Sequence, residues 1–131
     1  RAVARLLGVP VSLVSLVDDE RQWFPGLAGL TGWAAEGRQT PLSHSFCQYV
    51  VASGEPFVVE EAAADARVCD NPAIADLGVA AYLGVPLTSD DGEVLGALCA
   101  IDAVPRRWTA AEREALEDLA AAACAELRRR A

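Results

Sequence analysis

The segment from Ala80 to Asp102 constrains the fold more than any other part of this chain. Two apolar runs, at 80–89 and 93–102, flank an Asp-Asp-Gly sequence, and an Asp-Gly pair between apolar runs predicts a β-hairpin. Neither face of the second run is polar, since one face carries Leu95, Ala97, Cys99 and Ile101 and the other carries Gly96, Leu98 and Ala100. A strand with one wet face would alternate apolar and polar residues. We therefore predict an antiparallel sheet covered on both faces, as the middle layer of a three-layer sandwich.

The composition is typical of one soluble domain. The chain has 131 residues, 53% of them hydrophobic, and can bury a substantial core. A net charge of −8 argues against nucleic acid or an acidic membrane surface as a partner, because both require a basic face. No apolar run reaches the roughly 20 residues needed to span a bilayer, and the first residues show no signal-peptide pattern. A cytoplasmic location is expected.

The cysteines and the single histidine restrict the metal and redox chemistry. No two cysteines form a C-x-x-C pair, and His44 adds little to a metal site, so no zinc site is expected. Without a secretory signal, the simplest expectation is that all four thiols are reduced, small core residues. They are Cys47, Cys69, Cys99 and Cys124.

Periodicity and turn signals predict the remaining elements. In chain order they are a helix to Leu7, strands over 9–17 and 21–24, a glycine-rich loop over 27–37, a helix starting within 40–43 and ended by Gly54, a strand over 56–60, one or two helical turns over 73–77, the hairpin and a long C-terminal helix. Thr40 or Ser43 is the predicted N-cap of the central helix. Thr109 and Glu112 form a capping box at the start of the last helix, and Trp108 is a predicted hydrophobic staple there. The basic run 128–130 complements the dipole at that helix's C-terminus.

The chain resembles a GAF domain over essentially its full length. The motifs that carry the resemblance, in this order, are VSLVDDERQWF at 14–24, TPLSHSFC at 40–47, PFVVE at 56–60, DARVCDNP at 65–72, YLGVPL at 82–87 and LGALCAID at 95–102. The resemblance implies an α+β fold, a three-layer α/β/α sandwich around an antiparallel sheet of about six strands. It places the first and last helices on one face and a pocket-forming segment on the other.

The resemblance also implies a regulatory role. Such a domain senses a small molecule, dimerises, and relays the state of its pocket to an adjacent output domain of a bacterial signalling protein, such as a kinase, phosphatase, cyclase or transcription regulator. The chain starts inside an amphipathic helix without an initiator Met, so we expect residues 1–131 to be one domain of a longer protein. A ligand-free interaction module, its pocket filled by side chains, is also an open alternative.

The identity of a ligand stays open. Cyclic-nucleotide-binding GAF domains of phosphodiesterases carry an Asn-Lys pair, which this sequence lacks. Bilin-binding members attach the chromophore to a cysteine beside a histidine, for which Cys69 and His44 are the candidates, but the supporting Asp-Ile-Pro motif is absent. Haem would find only one histidine ligand in this sequence, His44, and a polar role at the start of a helix suits that residue better.

An enzymatic alternative rests on the cysteines. Free methionine-(R)-sulfoxide reductases share the GAF fold and use a nucleophilic thiolate and a second, resolving cysteine. By this resemblance Cys69 would be the nucleophile and Cys47 the resolving partner. The longer spacing from Cys69 to the strand at 85–87, and the absence of the family's substrate-gripping acidic pattern, count against this alternative. An enzyme is therefore not expected.

The candidate ligand-binding residues come from the pocket-forming segment and the hairpin. They are Phe46, Cys47, Arg67, Cys69, Asp70, Asn71, Ile74, Tyr82 and Cys99. Phe46 and Tyr82 are predicted pocket walls, whereas Phe24 and Phe57 are predicted core residues. Polar side chains at 67, 70 and 71 are placed at the pocket mouth, although Asp and Asn there also suit turns. A homodimer is predicted through Leu116, Leu119, Ala123 and Leu127 of the last helix, with Leu6 and Leu7 of the first helix as further bundle contacts.

Overall fold

A six-stranded antiparallel sheet forms the centre of the molecule, as predicted. The computed structural model describes residues 7–29, 32–89 and 91–130. Its strands run in the order β3-β2-β1-β6-β5-β4 across the sheet. They are β1 (Val11–Val17), β2 (Arg21–Ala28), β3 (Gln39–Pro41), β4 (Phe57–Val59), β5 (Ala81–Thr88) and β6 (Val94–Asp102). The hairpin predicted from the Asp-Gly signal is β5–β6, and Gly92 takes the positive φ of 84° that its turn requires.

Four α-helices and two short 3₁₀ turns complete the described structure. The helices are α1 (Trp33–Gly37), α2 (Cys47–Ser53), α3 (Ala73–Asp76) and α4 (Ala110–Arg130). The 3₁₀ turns are Leu42–His44 and Ala62–Ala64. The predicted N-terminal helix lies outside the described residues, except for Leu7, which is buried. No helix in the described ranges is both long and apolar enough to cross a bilayer.

The hairpin divides two cores, one on each face of the sheet. Ala97, Cys99 and Ile101 face α2 in what we call the cavity-side core. Leu98 and Ala100 face α4 in what we call the α4-side core. The prediction that both faces of β6 are covered is therefore confirmed for this stretch. It is wrong for Leu95, which is 40% exposed because the pairing of β6 with β1 ends one residue later, at Gly96.

Several predicted boundaries are corrected around the glycine-rich segment. β2 continues to Ala28, and the segment predicted as a loop over 27–37 also contains helix α1. The central helix does not begin at Thr40 or Ser43, because Thr40 pairs with Gln22 in the sheet as part of β3. Helix α2 begins at Cys47, where the Gln48 N–H donates to the Ser45 hydroxyl at 3.0 Å. Gly54 ends this helix with φ of 70°, as predicted.

The start of α4 follows the predicted capping box. The Glu112 N–H donates to the Thr109 hydroxyl at 3.1 Å, and the Thr109 N–H donates to the Glu112 carboxylate at 2.9 Å. Trp108 is buried in the α4-side core, and its indole N–H donates to the Val59 carbonyl at 3.0 Å. These bonds fix where α4 enters the α4-side face of the sheet.

The predicted dimer stripe on α4 is used largely inside the domain. Leu116 is fully buried against the sheet, so it is not available to a second subunit and is removed from the proposed interface. Leu119 and Ala123 are half-buried and pack against the same core. The side chain of Leu127, like Leu6, lies outside the described residues.

Candidate functional site

A small apolar cavity lies between the sheet and the segment that covers its cavity-side face. Its walls come from β1, β2, β5 and β6 on one side and from α2, α3 and their flanking turns on the other. Phe24, Phe46 and Tyr82 supply its aromatic surface. The cavity volume is about 30 Å³, enough for one or two water molecules. Pockets for drug-sized ligands have volumes of about 300–1,000 Å³, so a bulky ligand requires the covering segment to move.

A buried polar network closes one end of the cavity, centred on Gln22. The Gln22 Oε1 atom accepts from the hydroxyls of Ser15 at 3.1 Å and Ser45 at 2.8 Å. Its Nε2 donates to the Thr40 hydroxyl at 2.8 Å. All four residues are buried, and the network ties β1, β2, β3 and the entry to α2 together. Because a buried polar group without a partner is costly, this network fixes the arrangement of the four segments.

His44 joins two parts of the covering segment beside the cavity. Its Nε2 lies 2.8 Å from the Asp76 carboxylate of α3, and its Nδ1 lies 3.0 Å from the Ser43 hydroxyl. The Trp33 ring packs edge-on against the imidazole, with ring centroids 5.3 Å apart. The Asp76 side chain is 53% exposed, and pairs this open to water contribute no more than about 1 kcal/mol. The His44–Asp76 pair itself therefore adds little to the free energy that holds α3 over the cavity.

Two cysteine thiols and a phenol meet at the floor of the cavity. Cys47 lines the cavity, and its Sγ lies 3.9 Å from the Sγ of Cys99 on β6. The Tyr82 hydroxyl donates to the Cys47 Sγ at 3.1 Å. Gly84 leaves the space for this tyrosine, because a Cβ at that position would overlap the Tyr82 ring and hydroxyl.

The surroundings make the two thiols unequal. Hydrogen bonding with the Cys99 thiol, and then from the Tyr82 hydroxyl, outweighs burial and holds the pKa of Cys47 below its ordinary value. Burial, and then the neighbouring Cys47, raise the pKa of Cys99 well above its ordinary value. Burial likewise raises the pKa of the Tyr82 phenol, which keeps it a proton donor. Cys47 is the more acidic thiol of the pair, and it is the one that lines the cavity.

Some of the predicted site residues meet at this cavity. Phe46, Cys47 and Tyr82 line it, and Cys99 lies directly behind Cys47. Asn71 is buried nearby, but its side chain holds its own turn and joins that turn to the segment before α2. Its Oδ1 accepts the Ala73 N–H at 2.9 Å, while its Nδ2 donates to the Ser45 carbonyl at 3.1 Å.

The other predicted site residues lie elsewhere. Arg67, Cys69 and Asp70 are exposed and do not line the cavity, and Ile74 is half-buried against the cavity-side core. The Arg67 guanidinium pairs with the Asp65 carboxylate at 2.6 Å and lies over the Phe57 ring, 4.5 Å from its centroid. The expectation that all four cysteines are core residues is wrong for Cys69, because the turn at 66–70 leaves it exposed.

The sequence did not single out Gln22 as a lining residue, and it assigned His44 to a helix start. A usable signal exists for Gln22, which lies two residues before the buried Phe24 on the same strand and so shares its face. An amide at an inward position requires partners, and Ser15 is an inward hydroxyl on the neighbouring strand. No comparable sequence pattern indicates the contact of His44 with Asp76.

Filling the cavity is expected to stabilise the protein. Val79 lines the cavity and is 4% exposed, so the Val79→Ile substitution adds one methylene where there is room for it. The expected gain is about 0.8 kcal/mol in the free energy of unfolding, measured by chemical denaturation. The matched control is Val59→Ile, at a fully buried residue that does not line the cavity, and overpacking there should cost about 1–3 kcal/mol. Equal losses in both variants would contradict an empty space beside Val79.

Comparisons with known proteins agree with this architecture. A family model described as GAF domain matches residues 1–127. A cyclic di-GMP phosphodiesterase of Pseudomonas aeruginosa is 40% identical over 98 residues, which make up 74% of this chain and 16% of that protein. The chain therefore spans about a sixth of that relative's length.

Two solved structures illustrate the similarity of fold. The GAF domain of an Acinetobacter phosphoenolpyruvate-protein phosphotransferase superposes with a TM-score of 0.73 at 22% identity, over 94% of this chain and 73% of that one. The free methionine-R-sulfoxide reductase of Neisseria meningitidis, in complex with its substrate, gives a TM-score of 0.69 at 20% identity, over 91% of this chain and 67% of that one. At these identities the similarity shows the fold alone.

Proposed function

This chain belongs to the GAF domain family, and on that premise we propose that it is a regulatory sensing domain of a bacterial, cytoplasmic signalling protein. The observation that carries the proposal is the cavity, which is apolar along its walls and polar at the end formed by Gln22. A concave, mainly apolar site with a few converging polar groups is the usual form of a small-molecule site. The proposed activity is binding and relay rather than catalysis.

The strands beneath the cavity offer a route for the relay. On β5, Tyr82 faces the cavity-side core while Leu83 and Val85 face the α4-side core. Any shift of β5 that accommodates a ligand therefore also moves the surface on which α4 packs. Close-packed interfaces of this kind change between discrete arrangements, which turns a small displacement at a site into a shift of a neighbouring element. We propose that α4 carries the state of the cavity towards an adjacent domain.

The volume of the cavity restricts the ligand. At about 30 Å³ it accepts only a molecule of a few atoms in the described arrangement. A larger metabolite would enter by separating His44 from Asp76, which allows α3 to move away from the sheet. A nucleotide, bilin or haem would require that rearrangement, so the proposal favours a small ligand.

The output that this domain controls is proposed from its relative. The curated relative is named as a cyclic di-GMP phosphodiesterase, and we propose that this chain regulates a domain of the same signalling class. Dimerisation through Leu119, Ala123 and Leu127 of α4 is part of the proposal. If Ala123→Glu lowers the molecular mass in solution from that of a dimer to that of a monomer, the result would support this interface. An unchanged mass would argue against it.

The reductase alternative has less support from the described contacts. It requires Cys69 to act with Cys47, but the sulfur neighbour of Cys47 is Cys99, and Cys69 is exposed on a separate turn. The similarity to the Neisseria reductase is one of fold. We therefore keep the sensing role as the proposed function.

Native mass spectrometry beside the denatured mass tests whether the cavity has an occupant. An additional mass on the purified protein would identify the ligand directly. Hydrogen exchange then tests the relay, because Val79→Ile partly occupies the cavity and should change amide exchange in β5 and in the first half of α4. Amide exchange that changes only around residue 79 would contradict a relay to α4. If, in addition, the native mass shows no bound ligand, a ligand-free interaction module would be favoured.

A further inference from the structure

Cys47 and Cys99 are 52 residues apart in the sequence, yet their sulfur atoms lie 3.9 Å apart. They belong to different elements, helix α2 and strand β6, and both are buried. A disulfide needs a sulfur–sulfur distance of about 2.0 Å, so the two sulfur atoms must approach each other by roughly 1.9 Å for the bond to form.

The two thiols have different access to the cavity. Cys47 forms part of the cavity wall, whereas Cys99 lies behind it on the sheet. The Tyr82 hydroxyl donates a hydrogen bond to the Cys47 sulfur, which favours its thiolate over the thiol. An attacking sulfur that faces a small cavity, with a second thiol in contact behind it, is the arrangement of a nucleophilic and a resolving cysteine.

We propose that Cys47 and Cys99 form a peroxide-reactive dithiol, which hydrogen peroxide oxidises through the cavity to an intramolecular disulfide. This chemistry goes beyond the proposed sensing of a bound ligand and does not depend on it. The oxidant is a hydroperoxide of a few atoms, because a cavity of about 30 Å³ admits hydrogen peroxide but not a bulky organic hydroperoxide.

The reaction balances in two steps. The Cys47 thiolate attacks one peroxide oxygen and breaks the O–O bond, so that Cys47 becomes a sulfenic acid and the second oxygen leaves as water after taking up the thiol's proton. The Cys99 sulfur then attacks the Cys47 sulfur, a sulfur–sulfur bond forms, and the sulfenic oxygen leaves as a second water with the Cys99 proton. Overall, two thiols lose two electrons and one hydrogen peroxide gains them.

The disulfide would connect the covering segment covalently to the centre of the sheet. Helix α2 holds one side of the cavity, and β6 also contacts the α4-side core through Leu98. Oxidation would therefore fix α2 against β6 and reduce the freedom of the cavity to open. The state of the dithiol would reach α4 through the same strands as the state of a ligand.

The test begins with the unmodified protein, fully reduced and then exposed to hydrogen peroxide in its folded state. The remaining thiols are alkylated with N-ethylmaleimide under denaturing conditions, and the intact mass and the peptides are analysed. The expected product has lost two hydrogens, takes up two fewer alkyl groups, and yields a linked peptide pair containing Cys47 and Cys99. Cys124, buried in the α4-side core, should stay reduced and serves as the internal control.

Variants assign the two roles. In Cys99→Ser, oxidation should stop at a Cys47 sulfenic acid, seen as one added oxygen on the peptide that contains Cys47, whereas in Cys47→Ser residue 99 should stay reduced. In a Cys69→Ser background, which removes the exposed thiol, the Cys47–Cys99 disulfide should form unchanged. Tyr82→Phe removes the hydrogen bond to Cys47 and should slow disulfide formation roughly fivefold to tenfold.

Three results would overturn the proposal. They are a disulfide that joins Cys47 to Cys69 instead, oxidation of residues 47 and 99 only after unfolding, and a rate with cumene hydroperoxide equal to that with hydrogen peroxide. A protein that binds a small molecule yet shows no linked pair would keep the proposed sensing role and lose the dithiol. A protein that forms the disulfide but binds no ligand would keep the dithiol and lose the proposed sensing role.

Discussion

Replacing Gly96 with alanine is expected to destabilise the protein by about 3 kcal/mol or more. Gly96 lies on β6 opposite Leu16 of β1, at the point where the pairing of β1 with β2 shifts register between Val14 and Leu16. A Cβ at residue 96 would overlap the backbone carbonyl of Ser15. Backbone in the middle of a sheet cannot move aside as a flexible side chain does, so β1 and β6 must separate locally.

The matched control is another strand glycine, Gly26 on β2. A Cβ there would lie 3.4 Å from the Val14 side chain, an ordinary contact, so Gly26→Ala should change the free energy of unfolding by less than about 1 kcal/mol. Chemical denaturation of both variants, with circular dichroism to confirm folding, gives the comparison. If Gly96→Ala unfolds at the same denaturant concentration as Gly26→Ala, β1 and β6 are not as close as described.

The hairpin could be predicted because its signals are local. The Asp-Gly turn and the two apolar runs lie within 23 residues, and β5 and β6 pair antiparallel on either side of the turn as these signals predict. The capping box at Thr109 was predictable for the same reason, since its two hydrogen bonds join residues three apart. Local patterns of this kind identify an element before any tertiary contact is known.

The start of the central helix could not be predicted in the same way. Thr40 and Ser43 are the predicted N-caps, but Ser45 is of a residue type that is equally acceptable there, so residue type alone does not choose among the three. The pairing of Thr40 with Gln22 takes this threonine into the sheet, and only Ser45 accepts a helix N–H, from Gln48. A tertiary contact, made with a strand 18 residues earlier, decides a local boundary.

The candidate site also has features that the sequence predicts and features that only the tertiary structure shows. The resemblance indicated the segment that lies over the sheet and the aromatic wall of Phe46 and Tyr82, because both belong to recognisable motifs. The apposition of Cys47 and Cys99 depends on how α2 is positioned over β6, and no spacing in the sequence encodes it. Arg67 was assigned to the mouth of the pocket by its position in an irregular segment, but Asp65 and the Phe57 ring hold it elsewhere.

Gln22→Leu is expected to lower the free energy of unfolding by about 2–4 kcal/mol and to weaken the buried polar network at the end of the cavity. Leucine has nearly the same size, so the loss comes from hydrogen bonding rather than from a void. The buried hydroxyls of Ser15 and Ser45 both donate to the Gln22 amide oxygen and would lose that acceptor together. Each buried donor without a partner costs about 1–3 kcal/mol.

The control for Gln22→Leu is Gln39→Leu, which makes the same change of side chain on the neighbouring strand. Gln39 is exposed, and within the described residues its side chain bonds only to the exposed Arg21 guanidinium, so the variant should stay within about 0.5 kcal/mol of the unmodified protein. A second comparison separates the network from the single residue. If Ser45→Ala and Gln22→Leu together cost as much as the sum of their separate effects, the two side chains are not coupled and the network does not hold α2 to the sheet. A combined loss well below that sum is the expected result, because removing Ser45 also removes one of the donors that Gln22→Leu leaves without an acceptor.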